Sequence, residues 1–397
     1  MSDCAAQDTI VVGAGPVGLT LALVLLRAGH SVTVLEKRGS VNLQSKASTF
    51  HASTLDLLET LNVLDPMRAK GVQVDHVQYR APDGEVLAQL DFDLLKDVAR
   101  NPFRLHYEQG DLTTVLADLF VREGGVLTFG QGVQTVRQNA DGVTVTCDDG
   151  SEHAASFAFG CDGAASAVRE ALRIGYVEKP YPGMVLRLYA NRDMRVQFPD
   201  LGGISYLHAG DDTCSLLEMP DCWRVVVRVP AGVSAAEAVM DEWITERLES
   251  LLPIKDILRD VTGRDVYSAR RRGALSAGGA RVFLAGDALH LTNTKGGMNL
   301  NAGLHDAFAL GHAATTALRS GSSASLERAA AERARVARDV LIPRTDENIG
   351  TGLDRVKRIA TLSQSPDKAA AFLAKQAMFD MLDGIPAAVI RGEVSHG

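Results

Sequence analysis

TIVVGAGPVGLTLALVLLRAGHSVTVLE, residues 9–36, reads as strand, turn, helix and strand. A β-branched run, Thr9 to Val12, enters the turn Gly13-Ala14-Gly15-Pro16-Val17-Gly18. An apolar helical run follows to Ala28-Gly29-His30, and a second strand, Ser31 to Leu35, ends in Glu36. That order is the one a dinucleotide site requires. Gly13 permits a tight turn, Gly15 lets backbone N–H groups approach a pyrophosphate, and Gly18 lets helix and strand pack closely. The phosphates would sit at the positive end of the helix, whose first N–H groups lack partners within it. Glu36 falls where a carboxylate accepts hydrogen bonds from a ribose diol, and its charge repels a 2′-phosphate. The expected ligand is FAD or NAD rather than NADP.

At 397 residues the chain is long for one core and predicts two intimately joined domains with a tail. Its 46% hydrophobic and 23% charged residues are the balance of a globular protein. A net charge of -8 argues against nucleic acid or an anionic membrane as the main partner. The five cysteines, Cys4, Cys147, Cys161, Cys214 and Cys222, are odd in number and scattered, without a CxxC pair. They predict a reducing, cytoplasmic setting, with neither a disulfide framework nor a metal site. No basic region precedes the first short apolar run, so no signal peptide is expected. No apolar run reaches the length of a membrane span.

Beyond Glu36 a polar loop is expected to about Ala47, then a helix from about Ser53 closed by Pro66. Residues 74–92 alternate apolar and polar around Pro82-Asp83-Gly84, a β-hairpin that breaks the βαβ rhythm and belongs to a different sheet. A helix from Gln109 to about Glu123 and strands at 126–129, 133–137 and 143–147 follow. A second landmark, Phe157 to Arg169, runs a strand into Cys161-Asp162-Gly163 and a helix start near Ser166. Residues 175–269 are strand-rich, interrupted by one amphipathic helix over 234–251. A third landmark delivers Gly286-Asp287 from a buried strand, then Thr294-Lys295-Gly296-Gly297-Met298-Asn299-Leu300 and a long helix beginning around Leu300-Asn301. Its positive end would face negative charge on a bound ring, and Gly296 and Gly297 would leave space beside that ring. His290 reads as structural, and Arg270-Arg271-Arg272 as a solvated charge run rather than a nicotinamide-phosphate site.

These three landmarks, in this order and spacing, resemble the para-hydroxybenzoate hydroxylase family of single-component FAD-dependent monooxygenases, over roughly residues 8–340. The resemblance implies an α/β fold: a Rossmann-like FAD-binding domain (1–73, 100–175 and 270–340), an inserted β-rich substrate domain (74–99 and 176–269) and a C-terminal helical segment (341–397). It assigns FAD contacts to Gly13, Gly15, Pro16, Val17, Gly18, Glu36, Lys37, Lys46, Gln109, Asp162, Gly286, Asp287, Gly296, Gly297, Met298, Asn299 and Leu300. Arg169 would lie near the pyrophosphate and the nicotinamide route. Thr294, Lys295 and Gly296 would face substrate. The pattern departs from the family at Leu289 (usually alanine), Thr294 (commonly proline), Asn299 (usually glycine) and Lys46 (often arginine). Lysine keeps that last charge but loses the planar fork.

The implied activity is hydroxylation of a phenolic or N-heteroaromatic small molecule with NADPH or NADH and O2, through a C4a-hydroperoxyflavin. The protein would act as a monomer or homodimer. A base or relay must activate the ring. Tyr189, Tyr206 and His208 are candidates, each also readable as a satisfied core residue, so no catalytic residue is assigned. A flavin halogenase is disfavoured because Trp223 and Trp243 stand alone, without a WxWxIP motif. A quinone-pathway hydroxylase and a non-catalytic flavin-binding sensor are the remaining alternatives.

Overall fold

The computed structural model describes residues 7–44, 47–181, 183–209, 212–251, 256–349 and 353–393. Cys4 and Lys46 lie outside them. Gln7–Val12 is flanked in parallel by Val32–Glu36 and Glu152–Gly160, with Val126–Phe129 and Val282–Leu284 extending the sheet at either side. Ile10, Val11, Val34, Phe159 and Phe283 are wholly buried, as expected for strands covered on both faces. The antiparallel strands Val143–Cys147 and Val133–Gln138 hang from Glu152–Gly160, and the short Gly278–Gly279 pairs with Val282–Leu284, making an eight-stranded sheet in all.

The helix Pro16–Arg27 packs beside the long helix Met298–Ser320. Glycines set their closeness: a Cβ at Gly303 would meet Val17 at 2.8 Å, and one at Gly311 would meet Val24 at 2.7 Å. Leu304, Ala307, Phe308 and Ala314 of the long helix are buried, and Leu318, at the same helical spacing, is partly buried against the same core. This packing brings two helix N-termini to the same end of the sheet.

A seven-stranded sheet runs in the order Val261–Tyr267, Met184–Ala190, Trp223–Val229, Asp212–Glu218, Ile204–Ala209, His76–Arg80 and Val86–Asp91. The hairpin expected at 74–92 supplies its last two strands. Alternation along the strands gives it two different faces. Leu186, Leu188, Leu216, Val225 and Val227 pack on one side with Ile244 and Leu248. Val356, Ile359 and Leu373, from Leu353–Ser363 and Pro366–Gln376, cover the hairpin. The architecture is thus a Rossmann-like α/β domain, a β-rich sheet and C-terminal helices. A ribbon of Tyr176–Pro180, Arg270–Ala274 and His290–Leu291 spans the sequence boundaries drawn at 175 and 270. Among the described residues no helix is long and apolar enough to cross a membrane.

Three local expectations are corrected. Pro66 does not close the first helix of its region, which ends at Glu59; it sits inside a second helix, Leu64–Lys70. Proline is tolerated in a first turn, where no intrahelical N–H bond is lost. The single helix expected over 234–251 is two, Ala235–Ala238 and Asp241–Glu249, because Met240 adopts an extended conformation. The long helix begins at Met298, two residues earlier than expected, with Gly297 in a left-handed conformation (φ 65°) as its cap.

Candidate cofactor and substrate site

The first turn is built as its glycines require. Gly13 has φ +105°, and a Cβ there would meet the Cys161 carbonyl oxygen at 2.6 Å. A Cβ on Gly18 would come within 2.1 Å of the Gly13 carbonyl oxygen, so helix and turn touch backbone to backbone. Gly15 differs: nothing lies within 4 Å of its missing Cβ, and it starts the helix without a side-chain cap. Glu36 is buried, with Oε2 accepting from Ala14 N–H at 2.9 Å and Oε1 from Arg38 N–H at 3.0 Å. A carboxylate offers about four lone-pair sites, so it can still accept from a ligand hydroxyl.

The second and third landmarks are tied to each other. Asp162 Oδ2 accepts from Val168 N–H at 3.1 Å, and burial pushes its pKa up. Arg169 is occupied inside the protein. Its guanidinium donates to the carbonyls of Ala288 (3.2 Å) and Ala164 (3.1 Å) and lies 3.9 Å from the Tyr176 ring centre. The Tyr176 hydroxyl donates to the Asp287 carbonyl at 2.6 Å. Asp287 Oδ1 accepts from the Asn299 side chain at 2.7 Å, joining the acid to the start of the long helix. Behind it lies a buried trio: Asp306 pairs with His290 and with Arg333, each at 2.8 Å, and also accepts from Gly286 N–H at 3.1 Å. Burial alone would depress His290, but Asp306 outweighs it and holds the imidazole above its ordinary value. The structural reading of His290 matches these contacts.

All three landmarks contribute residues to the wall of one cavity of about 1330 Å³. Gly13, Gly15, Pro16, Val17, Glu36, Lys37, Gln109, Asp162, Gly286, Asp287 and residues 294–300 are on its wall. Gly18 is not; its place is in the helix–turn contact. The other wall is the second face of the seven-stranded sheet, including Arg187, Tyr189, Tyr206, Thr213, Ser215, Arg224, Arg228, Asp265 and Tyr267. The volume exceeds the roughly 300–1,000 Å³ of ordinary small-molecule pockets, leaving room for a dinucleotide and a second ring.

The residues fit FAD on three observations. Two helix N-termini without side-chain caps, at Gly15 and Gly297, open on the cavity. The space at Gly15 is clear for a phosphate to approach the backbone. Gln109, at the start of its helix, also lines the cavity and accepts from Ala47 N–H at 3.2 Å.

A protein-family model described as "FAD binding domain" matches residues 6–342. The chain belongs to the FAD binding domain family. It is 28% identical over 326 residues to para-nitrophenol 4-monooxygenase from Pseudomonas sp. (strain WBC-3), covering 80% of each chain. It is 29% identical over 361 residues to 6-hydroxy-3-succinoylpyridine 3-monooxygenase HspB from Pseudomonas putida (strain DSM 28022 / S16), covering 86% of this chain and 88% of the relative. The solved structure of p-nitrophenol 4-monooxygenase PnpA from Pseudomonas putida DLL-E4 superposes with a TM-score of 0.87 at 24% identity, covering 96% of this chain and 99% of that one. The resemblance drawn from the three landmarks therefore holds at the level of family and fold.

Within this FAD binding domain family member, the glycines before the long helix act differently from the expectation. Both line the cavity, but a Cβ on Gly296 would meet the Asn348 side chain at 2.9 Å, and one on Gly297 would meet Thr49 at 3.1 Å. Their side-chain directions face protein, and their positive φ values, 92° and 65°, are what the loop needs. The arginine run is not simply solvated: Arg270 and Arg272 pair with Glu178, and Arg271 with Asp346. Of the candidate bases, His208 stacks on Tyr79 with ring centres 6.4 Å apart and is absent from the cavity wall. Burial pushes it down to about 4. Tyr189 donates to Asp265 at 3.2 Å, and burial raises its pKa. Tyr206 lines the cavity and packs on Tyr79 at 5.5 Å.

The sequence reading missed Arg187, Arg224 and Arg228, the cations of the sheet wall. The available signal was even spacing, with Arg224 and Arg228 four apart in CWRVVVRV and Arg187 two before Tyr189 in MVLRLYA, since it places those side chains on one strand face.

Proposed function

We propose that this protein is an FAD-dependent monooxygenase hydroxylating a phenolic or N-heteroaromatic small molecule with NAD(P)H and O2. The observation that carries the reading is the single cavity running from the dinucleotide turn to a sheet wall bearing polar and aromatic side chains, with residues 294–300 at the junction. The relatives' names, a nitrophenol and a hydroxypyridine monooxygenase, support the same substrate class. Gly13, Gly15 and Glu36 would hold the ADP half of FAD, and Asp287 with Asn299 its ribityl region. Bound FAD would supply the redox chemistry, taking a hydride from NAD(P)H and reacting, once reduced, with O2. The N–H groups of Met298–Leu300 would stabilise negative charge at the cavity. The Tyr267 hydroxyl, 3.2 Å from Thr294 Oγ1, joins the sheet wall to the loop. Tyr206, one of the tyrosines that line the cavity, would relay a ring proton.

The purified protein is expected to be yellow, with about one releasable FAD per chain. NAD(P)H oxidation should accelerate on adding 4-nitrophenol or a hydroxypyridine, with a hydroxylated product. Flavin bleaching in a stopped-flow instrument that is fast and indifferent to every aromatic tried would instead indicate a reductase. A flavoprotein that consumes no NAD(P)H with any of them would indicate the sensor alternative.

A further inference from the structure

We propose that Lys295 and Arg228, with the Thr213 hydroxyl, form a subsite for an anionic oxygen group on the aromatic ligand, either a carboxylate or an ionised ring hydroxyl. The inference rests on the reading above that the cavity takes an aromatic substrate. Lys295 extends from the loop before the long helix and donates to Thr213 Oγ1 at 2.5 Å, so its ammonium reaches the sheet wall. Thr213 and Arg228 lie on neighbouring strands of that wall, and all three residues line the cavity.

The charges around them do not balance. Arg187 is paired with Asp265 at 2.9 Å, Arg224 with Glu108 at 2.6 Å, and Arg270 with Glu178. Asp212 is taken by Arg247, and Asp346 by Arg271. Among the described residues neither Lys295 nor Arg228 has a carboxylate partner. Arg355 adds a third positive charge: it donates to the Asn348 carbonyl (3.1 Å) and side-chain oxygen (2.6 Å), and Asn348 in turn donates to the Lys295 carbonyl at 3.4 Å. Burial, reinforced by Arg355 and Arg228, pushes Lys295 down to about 8. Lys295 and Arg228 are each half-buried; like charges held close without a counter-charge are unfavourable, and an anion entering between them offsets that penalty. Because the two cations come from different elements, the anion would be gripped between the sheet and the loop. That would fix which edge of the ring turns toward the cofactor half of the cavity.

The test titrates the FAD-loaded protein, without NAD(P)H, with two matched pairs: benzoate against benzamide, and 4-nitrophenol against 4-nitroanisole. Flavin absorbance changes and calorimetry report binding. The anionic member of at least one pair should bind about 30-fold or more tighter than its neutral partner. Which pair discriminates tells carboxylate from ring oxyanion. Lys295→Met should remove most of that preference while leaving FAD content and neutral-ligand affinity unchanged, and Lys295→Arg should restore much of it. Arg228→Gln should lower the preference independently, from an element the loop does not control. Equal binding of charged and neutral members, or variants that weaken both alike, would overturn the subsite while leaving the functional reading intact. An FAD-loaded protein that binds no aromatic at all would overturn both.

Discussion

Asp306→Ala is expected to destabilise the protein by about 3–5 kcal/mol and to lower its FAD content. The carboxylate is wholly buried and holds three groups at once: His290, Arg333 and the Gly286 N–H. Removing it leaves the Arg333 guanidinium, itself 1% exposed, buried without a counter-charge. It also frees the backbone of the turn that presents Asp287 to the cavity. Asp306→Asn, which can still accept from Gly286 but carries no charge, should fall between wild type and alanine. Thermal or urea unfolding of all three proteins checks this, and alanine and wild type unfolding together would show the trio is not a stabilising unit. The pH dependence has a definite sign. His290 is held above its ordinary value, so its contribution is complete below about 6.5 and fades as pH rises through the higher folded-state value. Burial opposes ionisation of Asp306, but His290 and Arg333 outweigh it and hold the carboxyl low. Its contribution is therefore present above about 3.9 and fades as pH falls through the lower folded-state value. In Asp306→Ala the acid-limb dependence should disappear and the His290 dependence should reverse sign, because burial and Arg333 then lower the imidazole's pKa unopposed by that carboxylate.

The second large effect separates folding from cofactor binding within one turn. Gly15 has extended backbone angles (φ -79°, ψ 173°) that any residue adopts, and no protein atom lies within 4 Å of its missing Cβ. Gly15→Val should therefore change the stability of the cofactor-free protein by no more than about 0.5 kcal/mol. Its side chain would nonetheless fill the space through which a pyrophosphate reaches the helix N–H groups. Losing two charged hydrogen bonds is worth about 3–6 kcal/mol, or roughly 10²- to 10⁴-fold in FAD affinity. Gly18→Val meets the Gly13 carbonyl oxygen instead and should lose about 3 kcal/mol or more of stability as well as FAD. Unfolding of the cofactor-free proteins and FAD titration, side by side, test the contrast. Tight FAD binding by Gly15→Val would place the pyrophosphate elsewhere.

The sequence alone determined the parts of this protein that depend on neighbours in the chain. Thr9 to Glu36 reads as strand, turn, helix and strand because its glycine spacing and apolar periodicity are local properties. The strands at 126–129 and 143–147 and the helix from Gln109 occur where their patterns and turn residues place them. Local reading failed where two signals lay close together. Pro66 looked like a stop although it lies in the first turn of a new helix, and Gly296-Gly297 looked like open space although a Cβ on either would meet Asn348 or Thr49. The tertiary structure alone decided the charge pattern. Asp306 sits among small residues of a helix stripe, and only folding brings Arg333 to it across 27 positions. Arg187 and Arg270 find carboxylates on other strands and Arg224 finds Glu108 just before a helix, whereas Lys295 and Arg228 have none among the described residues. A side chain's counter-charge depends on through-space distance, which local pattern does not encode, so the cavity's unbalanced positive charge becomes visible only once the strands are paired.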